Sequence, residues 1–200
     1  MRDRFLDKGA IFGGWVGLGM AIVVALAFEL IIPVQALVFL MAPLMGAVIG
    51  IYANVRAERW RPRGRVLANA VYAGAVTGLA VAVFYVAIRL IFIYGDSGSL
   101  PDGTSLTCQT GPDCVYQRLV IEEQRTGNGG ELAAEGITDA ASLEAFAWRS
   151  LAITGAALFL LTLSGAVIGG FVRSVTTQPT SVPLRKPTAP ASASAGAENG

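Results

Sequence analysis

Histidine is absent from this 200-residue chain, and cysteine occurs only twice. Zinc, haem and Cys/His nucleophile sites are assembled from clusters of those residues, so the chain lacks the material for them. No metal and no cofactor is expected, and no catalytic residue stands out. Charge is scarce as well: 14% of residues are charged and 54% are hydrophobic, with a mean hydropathy of +0.58. An ordinary soluble chain carries about 25% charged residues, and a fold with so few could hardly cover itself with water-binding groups. The net charge of +1 gives nucleic-acid binding no support.

What the chain does have is long apolar runs. Ala10 to Ile32 contains one charge, Ala36 to Ala53 none, Leu67 to Tyr94 one, and Leu151 to Val172 none. A bilayer core is spanned by about 17 to 25 helical residues, and these runs are of that length, the third being longer. Lipid offers the backbone no hydrogen-bond partner, so each run must be a helix; the period-two alternation of a barrel is missing. The expected fold class is all-α integral membrane: a four-transmembrane-helix bundle with a small external loop cap.

The few charges are sorted by position. Arg2, Arg4 and Lys8 precede the first run, and "VRAERWRPRGR" after the second holds Arg56, Arg59, Arg61, Arg63 and Arg65. Residues 95–150 hold only Arg118, Arg125 and Arg149 against nine carboxylates. Lysine and arginine mark cytoplasmic loops, so both termini and the basic loop at 54–66 are expected inside. The organisation is then a cytoplasmic N-terminus at 1–9, three helices within 10–94, an external loop at 95–150, a fourth helix at 151–172 and a tail at 173–200. That tail, rich in Pro, Ser, Ala and Thr, reads as disordered. "ALA" at 25–27 resembles a signal-peptidase site, but the apolar run continues to Ile32 and Asp3 and Asp7 weaken the positive flank. The first run therefore reads as a retained anchor. Thirteen arginines against two lysines is usage typical of GC-rich bacterial genomes, which makes the expected location a bacterial plasma (inner) membrane.

In the external loop, Cys108 and Cys114 bracket "QTGPD", whose Gly, Pro and Asp supply turn chemistry that brings the sulfurs together. Outside the cytoplasm such a pair forms a disulfide. Its small ring stiffens the turn more than it stabilises the fold. "VYQRLVIEEQR" reads as an amphipathic helix, and "TDAASLEAFAWRS" as a helix capped by Thr138 or Asp139 that runs on into the fourth span. Trp148 and Tyr94 suit the interfacial aromatic belt.

Inside the runs one pattern recurs: "GAVIG" at 46–50 and again at 165–169, with "GAVTG" at 74–78. Helices in lipid associate through close backbone contact at small residues. Gly13 and Gly17, Gly46 and Gly50, Gly74 and Gly78, and Gly165 and Gly169 are the expected packing rows. Spans two and four align at an offset of 119 and spans one and three at an offset of 60; chance matching and duplication of a helical hairpin both account for this. Pro43 is a candidate interruption of the second span.

Glu29 and Arg89 are the only charged side chains within the runs. They lie about 29 and 33 Å along their helices, at matching depth by the outer boundary, and are a candidate ion pair. Arg56, Arg59, Trp60, Arg61, Arg63 and Arg65 serve topology and are candidates for contact with anionic lipid headgroups. The expected function is a non-enzymatic assembly or scaffold component acting through its small-residue faces. Its expected partners are membrane lipids and itself or another membrane protein. The alternative is a small transporter or permease subunit.

Overall fold

The computed structural model describes residues 6–27, 35–55, 62–100, 105–108, 110–127 and 129–176. Six helices follow in chain order: α1 (Lys8–Leu26), α2 (Gln35–Val55), α3 (Arg63–Tyr94), α4 (Pro112–Thr126), α5 (Glu131–Ala134) and α6 (Ala140–Thr176). Among the described residues the only β pairing is the isolated bridge between Ser99 and Ser105. Four helices, α1, α2, α3 and α6, are long and apolar enough to cross a membrane.

The interior of this bundle is rich in small residues, packed around a few large ones such as Val38, Ile49, Val81 and Leu158, and many large apolar side chains lie on its surface. Ala10, Ala21, Ala53, Ala70, Ala73 and Ala166 are fully buried, as are Thr77 and Thr162, while Trp15 (68%), Ile91 (69%) and Phe171 (63%) stand exposed. Water would penalise that surface by roughly 25 cal/mol for each Å² of apolar area, whereas hydrocarbon imposes no such penalty. Small residues inside and large ones outside is the arrangement that lets backbones approach in lipid, and the protein is accordingly membrane-embedded.

α2 packs most closely on α6, and α6 on α3; α1 lies against α3 and α2, and α2 reaches α3 across one diagonal. Helix lengths differ from the apolar runs. α3 has 32 residues and α6 has 37, about 48 and 56 Å against a hydrocarbon core of about 30 Å. The fourth span therefore starts eleven residues before Leu151 and ends four after Val172, at Thr176. Nothing at either boundary breaks the helix: alanine, leucine and phenylalanine continue it outward, and Arg173 in the last turn complements its dipole. α2 likewise passes through Pro43 unbroken. Pro43 withholds one amide hydrogen from the ladder, and the tight seating of α6 against its backbone keeps the flanking turns in place.

At one end the connections between α3 and α6 fold into a cap. Asp96 Oδ1 accepts hydrogen bonds from Gly98 N at 2.8 Å and from Arg118 Nη2 at 2.6 Å. Arg118 Nη2 also donates to Ser99 O at 3.2 Å, and Gly111 N donates to Asp96 O at 2.9 Å. Cys108 and Cys114 are bonded, with their Cα atoms 5.2 Å apart. Gly98, at φ +73°, sits directly beneath the sulfurs, where any side chain would displace Cys108 Sγ. α4 rests on the projecting first turns of α6, and Tyr116 Oη donates to Thr138 O at 2.7 Å.

Candidate functional site

The features most able to carry function are the helix seams and the cap. On the α2/α6 seam, a methyl group added to Gly46 would lie 2.9 Å from the carbonyl carbon of Thr162. At Gly50 it would lie 2.9 Å from that of Ala166, at Gly165 2.8 Å from that of Pro43, and at Gly169 2.9 Å from that of Ala47. All four obstacles are backbone, which cannot rotate aside, so the helices touch main chain to main chain. The pairs Gly46–Thr162 and Gly50–Ala166 advance together, so the helices run parallel. Exchanging them by the 119-residue offset turns Gly46–Thr162 into Gly165–Pro43 and Gly50–Ala166 into Gly169–Ala47. The seam is thus locally two-fold.

That relation stops at the seam. Ile49 of the first "GAVIG" is fully buried, whereas Ile168 of the second is 60% exposed. α2 has α1 and α3 behind it, and the matching side of α6 faces outward.

The other rows rest on a mixture of side-chain and backbone atoms. An added methyl at Gly17 would lie 3.0 Å from Thr77 Cβ, and one at Gly13 would lie 3.2 Å from Ala53 Cα. Gly78 approaches the Phe159 carbonyl oxygen at 3.0 Å by the same measure, and Gly74 accommodates the methyl of Ala166. The eight glycines therefore meet other helices of the same chain. Gly170, which was not among the candidates, seats Ala70 at the end of the α6 row; its signal was the second glycine of "GG" at 169–170.

Several buried polar groups were not read from the sequence. Thr77 Oγ1 donates to Ala73 O, and Thr162 Oγ1 to Leu158 O, each at 2.8 Å. Satisfied within their own helix, both hydroxyls enter the apolar core at little cost. At the end remote from the cap, Asp7 and Asn69 are 6% and 1% exposed. Asp7 N donates to Asn69 Oδ1 at 3.3 Å and Asn69 Nδ2 to Asp7 Oδ2 at 3.0 Å, which ties the start of α1 to α3. An amide inside an otherwise apolar run was the available sign. Asn54 Nδ2 donates to Gly50 O at 2.9 Å.

Arg89 is half-buried, its guanidinium carbon 5.5 Å from the Tyr85 ring centroid, a cation–π contact. Glu29 lies outside the described residues, as do Arg56, Arg59, Trp60 and Arg61. Arg63 is exposed and Arg65 half-buried in the first turn of α3. Positive charge there opposes the helix dipole, so local helix stability does not account for it.

At the cap end, Tyr94 Oη donates to Glu144 Oε1 and receives a hydrogen bond from Trp148 Nε1 at 3.2 Å. The two interfacial aromatics are thus hydrogen-bonded to each other, and Tyr94 also engages a carboxylate, Glu144, that the sequence did not single out. Below the cap, Asp139 Oδ1 accepts from Ser142 N at 2.7 Å and Ser142 Oγ accepts from Asp139 N at 2.9 Å. This reciprocal cap starts α6 and holds the Asp139 carboxyl below its ordinary value, chiefly through the Ser142 amide. Among the described residues no three His, Cys, Asp or Glu side chains gather to hold a metal ion. No family model, curated relative or solved structure matches the chain.

Proposed function

We propose that this chain is a non-enzymatic, multi-pass scaffold of a bacterial plasma membrane, with both termini cytoplasmic and an external cap offered to a partner. The observation that carries this reading is how the cap is held. α6 runs from the bundle to the cap without a break, and Tyr94, Glu144 and Trp148 clamp it to the end of α3. The disulfide and the Asp96–Arg118 ion pair fix α4 on top. The glycine rows are occupied within the chain, so a partner would meet other surfaces, the cap among them. The arginines at 56–65 hold the opposite end at anionic headgroups, and Glu29 pairs with Arg89 near the outer boundary.

The test is co-purification in mild detergent. A partner at fixed stoichiometry, lost when the exposed Glu122 of α4 is changed to Arg, supports the scaffold. Partner-free protein that drives solute uptake in reconstituted vesicles would replace it with the transporter reading. That alternative draws its support from the local two-fold between α2 and α6, since parallel repeats occur in some transporter folds. The unequal surroundings of Ile49 and Ile168 confine the two-fold to one seam, which weakens the support for the transporter reading.

A further inference from the structure

On the surface of the bundle a groove of about 460 Å³ runs between α3 and α6. Ala82, Val86 and Leu90 form one wall and Trp148, Ala152 and Gly155 the other, with no charged side chain along it. Toward the far end of the bundle the two helices close, because Gly78 brings α3 against the carbonyl oxygen of Phe159. Toward the cap the groove opens beside Trp148, which is hydrogen-bonded to Tyr94 at the end of α3. From Ala82 to Leu90, and from Trp148 to Ala156, the groove is about 12 Å long, less than half of a hydrocarbon core of about 30 Å. It belongs to one leaflet.

We propose that this groove holds one acyl chain of a phospholipid from the cap-side leaflet, with the lipid phosphate on Arg149. A second transmembrane helix would need a contact face through both leaflets, and this face stops at Phe159. An acyl chain has the right length, and its headgroup must then lie at the mouth. Arg149 follows Trp148, is exposed, and has no ion-pair partner among the described residues. At about 100° per residue it lies roughly 20° beyond Ala156 around α6 and about 100° from Trp148, which places it at the rim of the groove. Its planar fork matches phosphate oxygens, and Trp148 beside it belongs at the headgroup boundary. Glu144, the carboxylate nearest to Arg149 along the chain, is engaged by the Tyr94 hydroxyl.

Native mass spectrometry of the full chain in mild detergent with added palmitoyl-oleoyl phosphatidylglycerol tests this. One lipid should remain bound after the loosely held ones are stripped. Ala152→Leu, and independently Ala156→Leu, place bulk in the groove at exposed positions and should remove most of that occupancy, because the leucine side chain fills space the acyl chain would take. Arg149→Gln should weaken retention of the phosphatidylglycerol and leave retention of an uncharged diacylglycerol unchanged. Ile168→Phe, on the exposed face of α6 away from the groove, should have no effect. Wild-type protein without a retained lipid, or unchanged retention in both leucine variants, would overturn the proposal. So would dimers cross-linked through a cysteine placed at Val83, which would give the groove to a second copy of the chain.

Discussion

A single methyl group distinguishes the glycines that hold this bundle together from those that do not. Gly50→Ala and Gly169→Ala each put a carbon within 3 Å of the facing helix backbone, so α2 and α6 must separate. Overpacking of this kind costs about 1 to 3 kcal/mol, and both variants should melt earlier in detergent. Gly19→Ala, with nothing within 4 Å, should melt at or above the wild-type temperature, because alanine is favoured over glycine in a helix by about 0.5 to 1 kcal/mol. Equal behaviour of the three variants would remove the seam from the account. A second residue-scale expectation concerns Glu29 and Arg89. Either single alanine variant should destabilise the bundle, and exchanging the two charges should recover part of the loss; a swap as costly as the sum of the single losses would reject direct pairing. The glycines were legible in the sequence because only small residues permit main-chain contact. The different fates of Ile49 and Ile168 were not, since identical pentapeptides carry no record of what lies behind them.

Among the elements, α6 departs most from its apolar run. Its first turn lies outside the apolar stretch and depends on the reciprocal cap between Asp139 and Ser142. The folded-state pKa of Asp139 is lowered from its ordinary value of 3.8, so the cap's contribution is present above about pH 4 and fades as the pH falls through the lowered value. Amide exchange at Ala140 to Leu143, corrected for intrinsic rates, should accelerate at pH 3 relative to pH 6. Asp139→Asn should abolish that difference while keeping the cap, and an unchanged difference would assign the effect elsewhere. The disulfide acts at the same scale. Reduction should add two protons to the intact mass and expose residues 98–111 to protease. The bundle should melt nearly as before, because the six-residue separation of Cys108 and Cys114 closes only a local loop. A collapse of the helical melt on reduction would show instead that the cap organises the bundle.

At the scale of the whole molecule the governing fact is the solvent. Trp15, Val23, Ile91, Ile153, Leu160 and Phe171 all face outward, and only hydrocarbon tolerates such a surface. The proposed direction in which the bundle sits, cap outside and termini inside, rests on the arginine distribution. Cysteine-reactive probes that cannot cross the membrane should label a cysteine introduced at Gly129 from outside and one at Arg63 only after the membrane is opened. The reverse pattern would invert the topology and remove the oxidising compartment invoked for the disulfide. A cap outside and arginines inside would leave the phosphatidylglycerol groove in the outer leaflet.

Read alone, the sequence determined the helical class, the four spans and the small-residue rows, because lipid forbids an unpaired backbone and rewards only close packing. It paired Cys108 with Cys114 from the turn chemistry between them, which the structure realises at Gly111, at φ +96°, while Pro112, Asp113 and Cys114 open α4. It placed the fourth span at 151–172 and read the segment capped at Thr138 or Asp139 as running on into it; α6 is that single helix from Ala140, because the cap chemistry marks a start that hydropathy does not. Only the tertiary structure decided which row meets which. Gly74 stands against α6 while Gly14, its counterpart at the 60-residue offset, stands against Val76 of α3; both are glycines in apolar helices, and the difference lies in where the third and fourth helices fit. The Asp7–Asn69 clasp, the Tyr94–Glu144–Trp148 clamp and the groove between α3 and α6 arise in the same way. Each joins residues tens of positions apart whose local sequence carries no mark of the other, because side-chain partners are chosen by packing geometry that exists only once the helices have assembled.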